Sequence, residues 1–150
     1  MISPNAQTYR SLGLLSSGIE AFGYFKEGRE KQEAYELNAG VALANASAIR
    51  ERSRLSEFQK RKNLEALIGH QQAQYASSGI RVDTGSPIEV MTDTLAKGYL
   101  DIEIDKYNDE IAARYNENQA QMQSYYGKQE KKRSLLNAGL ALVKGAANFG

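Results

Sequence analysis

The residues that could do chemistry are few. His70 is the only histidine, and the chain has no cysteine. That removes thiol nucleophiles, disulfides and zinc–thiolate sites together, and one imidazole makes no histidine-rich metal site. No serine and aspartate spacing turns His70 into a triad, so it reads as a partly exposed helix histidine. Carboxylates are plentiful at Asp101, Glu103, Asp105, Asp109 and Glu110. Asp101 and Asp105 share a helix face, as do Asp105 and Asp109, because residues four apart stack on a helix. Such pairs are raw material for a divalent cation or an acid–base couple. Nothing around them resembles a calcium loop, and solvated helical charge is the simpler reading. Gly79 and Gly85 bracket a turn, with neither glycine-rich phosphate-loop pattern around them. The sequence assigns no catalytic, cofactor-binding or metal residue, expects no cofactor, and does not read as an enzyme.

What remains is association chemistry. Nine tyrosines stand against four phenylalanines and no tryptophan. Tyrosine suits half-wet seams between helices and also membrane boundaries; the first reading is preferred. Lys128, Lys131, Lys132 and Arg133 directly precede an apolar stretch, Ser134 to Gly150. That order is the order of a juxtamembrane basic anchor, and equally of a solvated helix end. Within the stretch, Leu135, Leu136, Leu140, Leu142, Val143 and Phe149 form a candidate oligomer or membrane segment. A similar stretch, Ser11 to Phe25, is interrupted by Glu20 as the C-terminal one is by Lys144. Both are shorter than the ~20 apolar residues a spanning helix needs. The first ten residues have no basic stretch followed by an apolar one, so no secretory signal is expected.

The elements that must carry these groups are helices. The chain has 150 residues, one domain at most. Only 41% of them are hydrophobic, which suits long two-sided helices better than a deep core. Its prolines are Pro4 and Pro87 only. Ser86, Pro87 and Glu89 have the order of an N-cap, a first-turn proline and a capping-box glutamate, so a helix starts at Ser86. Upstream, Gly79 and Ile80 have the order of a Schellman closure, Ile80 folding back toward Tyr75, so a helix ends near Ser78. The short connection joins antiparallel neighbours. Its GIRVDT segment, 79–84, is the one place for a short extended stretch. Leu37, Val41, Ala44, Ala48, Leu55 and Phe58 recur at helical spacing in the first arm. Leu100, Ile104, Tyr107, Ile111, Tyr115, Met122 and Tyr125 do so in the second.

Charge supports the fold-back. Residues 50–62 hold six basic and two acidic side chains, and residues 101–117 hold six acidic and two basic ones. Folding about Asp83 lays these blocks side by side, a weak interaction pair by pair but a useful register signal. Gly13, Gly18, Gly23, Gly28 and Gly40 are expected break points in the first arm, and Gly127 and Gly139 in the second, each costing about 1 kcal/mol against alanine. The expected fold is all-α: a long antiparallel helical hairpin turning at 79–86, with broken glycine-containing ends. It forms a single helical domain, 1–150, with arms 30–78 and 86–133 and end segments 11–25 and 134–150. A two-helix hairpin buries little surface, so copies are expected to associate into a multimer.

The central block, roughly Gln59 to Met122, resembles the small internal virion, or DNA-ejection, proteins of short-tailed bacteriophages. The matching residues are Gly69, Gln71, Ala73, Tyr75, Ala76, Ser78 and Gly79, then Val82, Gly85, Ser86 and Pro87, then Arg114, Tyr115 and Asn116. The resemblance covers under half the chain; the Gly/Ala/Leu-rich ends also match the family's habit. It implies a non-enzymatic protein stored in the capsid near the portal and released with the genome. There it would multimerise into part of a DNA-translocation conduit across the host cell envelope. The implied partners are further copies, other virion proteins (portal, tail or larger internal proteins) and the host outer membrane. This chain is short and lacks longer apolar extensions, which makes a static portal or tail ring without membrane action the alternative. A bacterial helical adaptor binding a partner helix is a third reading. The net charge of +1 argues for weak or no direct DNA contact, unless the basic face at 50–62 is left unpaired.

Overall fold

The computed structural model describes the backbone of residues 6–147 and the side chains of 16–147. Two helices account for nearly all of it: α1, Ala6–Ser77, and α2, Ser86–Ala147. They pack against each other as a hairpin, and no strand occurs among the described residues. Gly79 lies in a turn, residues 80–81 are irregular and residues 82–85 are bends, so no strand forms in the stretch expected to be extended.

The turn is built as its residues dictate. Gly79 has φ of 72°, the left-handed conformation that closes a helix without a Cβ penalty. The Ile80 N–H donates to the Tyr75 carbonyl at 3.0 Å, and the Gly79 N–H to Ala76 at 3.1 Å. Those are the two bonds of the Schellman closure. Arg81 and Asp83 pair across the bend at 2.8 Å. The start of α2 differs in detail from the expected capping box. The Glu89 N–H donates to the Gly85 carbonyl at 3.5 Å, so Gly85, with φ of 73°, takes the cap position. Ser86 is then the first helical residue and Pro87 the second. Proline fits there because first-turn N–H groups have no intrahelical partner.

The glycines do not break the arms. α1 runs uninterrupted through Gly13, Gly18, Gly23, Gly28 and Gly40, and α2 through Gly127 and Gly139. A cost of about 1 kcal/mol per glycine is smaller than the loss of several consecutive helical hydrogen bonds and the seam contacts beside them. Three glycines are used for close approach. A Cβ at Gly28 would overlap Ser134, one at Gly98 would overlap Leu64, and one at Gly145 would overlap Ser17.

The chain divides into two compact units: residues 1–42 with 118–150, and residues 43–117. In the second, which contains the turn, the buried apolar residues are Ala46, Leu64, Met91, Ile102 and Ala113. In the first they are Ala21, Ala39, Ala120 and Ala141, joined by buried Ser17 and by Gly28, Gly127 and Gly145. Ala39 and Ala46 are seven residues apart, as are Ala113 and Ala120, the repeat of a coiled-coil seam. Small side chains let the helix backbones come close.

Candidate association surface

Five of the buried seam residues have a large exposed partner two positions on. Val41 follows Ala39, Ile104 follows Ile102, Tyr115 follows Ala113, Met122 follows Ala120 and Val143 follows Ala141; all five are exposed. Two residues turn ~200° about a helix axis, so these side chains lie nearly opposite the seam. Each helix therefore carries two apolar stripes, a small-residue stripe inside the hairpin and a large-residue stripe outside. The stripes legible in the sequence are the outside ones. Leu37, Leu55 and Phe58 are 70%, 59% and 59% exposed, and Leu100, Tyr107 and Ile111 are 59%, 68% and 50% exposed. The alanine seam was the part the apolar spacing did not single out. Its signal is the seven-residue repeat of Ala39 with Ala46 and of Ala113 with Ala120.

The seam is fixed laterally by ion pairs in the turn unit. Arg50 reaches Glu110 at 3.0 Å and Glu117 at 2.5 Å. Arg52 meets Asp109 at 3.4 Å, Lys60 meets Asp105, and Lys106 meets Glu57 at 3.5 Å. The basic block of α1 thus lies against the acidic block of α2, in the expected register. Arg50, hydrogen-bonded to Glu110, pulls that carboxyl down to about 2, with Arg114 adding to the effect. Glu117 is lowered by Arg50, and Glu57 by Arg61. Arg61 also lies 5.3 Å from the centre of the Tyr99 ring.

In the end unit the tyrosines behave as seam edges. Tyr35 and Tyr126 have ring centres 6.3 Å apart. Lys128, Lys131, Lys132 and Arg133 are all exposed, and no carboxylate pairs with any of them among the described residues. Leu135, Leu136, Leu140, Leu142 and Val143 are exposed as well; Phe149 lies outside the described residues. No helix among the described residues is long and apolar enough to cross a membrane. No group of three or more His, Asp or Glu side chains there could hold a metal ion.

No family model, curated protein or solved structure matches the chain.

No side chain larger than alanine is fully buried among the described residues. Large apolar side chains are thus exposed along both helices, while the buried positions are mostly small, with Leu64, Met91 and Ile102 the larger ones in the turn unit.

Proposed function

We propose that the chain is a structural protein of a short-tailed phage virion, an internal or ejection protein that leaves with the genome and multimerises into part of a DNA-translocation conduit. The observation that carries this reading is the exposure of large apolar side chains along both helices of a hairpin whose buried positions are mostly alanine, glycine and serine. Such a chain reaches a low-energy state in an assembly. The turn and caps that carry the resemblance, Gly79, Ile80, Gly85, Ser86, Pro87 and Glu89, supply the joint of this hairpin.

The absence of a helix long and apolar enough to span a bilayer, among the described residues, favours the second reading: a static portal or tail ring without membrane action. The two separate in one experiment. Particles carrying the chain are quantified by mass spectrometry before and after triggered DNA release. An ejection protein is present in filled particles and depleted from emptied ones. A static ring is retained in both, and absence from filled particles contradicts both readings.

A further inference from the structure

The outward stripes of α1 and α2 match each other, and the match is visible in the turn unit alone. There the hairpin register sets Lys60 against Asp105 and Leu64 against Gly98. By that register Phe58 stands level with Ile104, and Leu55 with Tyr107; all four are exposed, and helix rotation from the seam sets them on its outer sides. At the next level lies a pair of uncommitted charges. Lys62 sits over the Phe58 ring at 4.8 Å and has no carboxylate partner among the described residues, and Asp101 has no cation partner there. Both are exposed.

We propose that the outer face of α1 in one copy docks on the outer face of α2 in the next, with the same level-for-level register as the hairpin itself. This heterologous contact sets Phe58 on the next copy's Ile104, Leu55 on its Tyr107, and Lys62 beside its Asp101. The end unit, taken by itself, repeats the pattern: Ile19 is level with Val143, Phe22 with Leu140, and Glu30 with Lys132, an acid facing a base that has no carboxylate of its own. A lipid surface would have no use for alternating acid and base along the stripe, whereas a second copy supplies the complement of each.

The geometry also gives the row a direction. Each outer stripe departs from the point opposite its seam by ~20°. Because the helices are antiparallel, both departures fall on the same side, so successive copies turn the same way instead of zigzagging. A head-to-tail contact of that kind propagates until it closes. The inference names the contact that the proposed function leaves open, and it stands on these residues whether or not the chain belongs to a virion.

The chain has no cysteine, so introduced thiols report without background. Full-length Phe58→Cys and Ile104→Cys chains are purified, mixed and mildly oxidised, with and without phosphatidylcholine–phosphatidylglycerol vesicles. The mixture forms a disulfide-linked dimer of one chain of each kind, and neither variant alone does. A double variant forms a ladder. A dimer from Phe58→Cys alone, no link in the mixture, or a link that needs vesicles overturns the proposal. Because both positions are exposed, folding is not at stake, and a charge test adds a reversible readout. Lys62→Glu weakens self-association by about two- to fivefold, and adding Asp101→Lys in the same chain restores it. Failure of that restoration also counts against the proposed register. Localisation in particles is untouched by any of these outcomes, so the two proposals fail separately.

Discussion

Gly28 stands directly against Ser134, close enough that a Cβ at position 28 would overlap the serine side chain. Ser134 in turn donates its hydroxyl hydrogen to the Tyr24 carbonyl on the facing helix. Gly40, on the same helix, has nothing near its missing Cβ. The two glycines therefore respond in opposite directions to alanine. Gly28→Ala forces the seam apart and destabilises the fold by about 1–3 kcal/mol. Gly40→Ala removes a flexible residue from a helix interior and stabilises by about 0.5–1 kcal/mol. Urea unfolding followed by circular dichroism reads both, at a protein concentration held fixed because association adds to apparent stability.

The Arg50 ion pairs make stability fall with acid. Glu110 has an ordinary value of 4.5 and is held at about 2 when folded; Glu117 and Glu57 move in the same direction. A depressed folded value means the unfolded chain binds protons first as pH drops. The contribution is complete above about pH 4.5 and is lost as pH falls toward 2. The urea midpoint should decline through that window, and Glu110→Gln should flatten the decline while lowering the midpoint at neutral pH. The groups are half-buried and still reached by water, so added salt reduces the effect. A midpoint that rises on acidification would contradict the assignment.

Gln123 and Gln71 each have a buried side-chain oxygen without a hydrogen-bond partner. Gln123 lies on the α2 seam line, three residues beyond Ala120. Replacing its amide by the apolar thioether of methionine, of similar size, removes an unpaired strong acceptor, so Gln123→Met should stabilise by about 1 kcal/mol. Thermal unfolding at fixed concentration checks the sign.

Much of this fold is legible in the residues, for local reasons. Gly79, Ile80 and Pro87 mark the turn because left-handed closure and a missing N–H are properties of single residues. The register is legible because Arg50, Arg52 and Lys60 sit in a block that only an antiparallel return brings to Asp105, Asp109 and Glu110. The choice of seam is harder to read. Val41, Leu55 and Phe58 recur at helical spacing, and so do Ala39 and Ala46. Periodicity identifies a stripe without saying whether it is used within the chain or between chains. In the end unit the smaller stripe is used internally, because alanine and glycine permit a backbone approach that leucine and phenylalanine would block, whereas the turn unit also buries Leu64, Met91 and Ile102. The glycine positions misled for a related reason: helix propensity prices Gly28 as a weakness, and only the facing Ser134 shows it to be a point of contact. The one-residue shift of the cap from Ser86 to Gly85 reflects a backbone carbonyl accepting the bond that the serine hydroxyl was expected to take.

The central claim is that the large apolar residues face outward to be covered by further chains. Sedimentation equilibrium of the purified full-length protein, across a wide concentration range and alongside far-ultraviolet circular dichroism, tests it most directly. The account predicts a helical protein whose mass rises with concentration to a multiple of 16.6 kDa. A folded, fully helical species that stays at the single-chain mass at every concentration would contradict it.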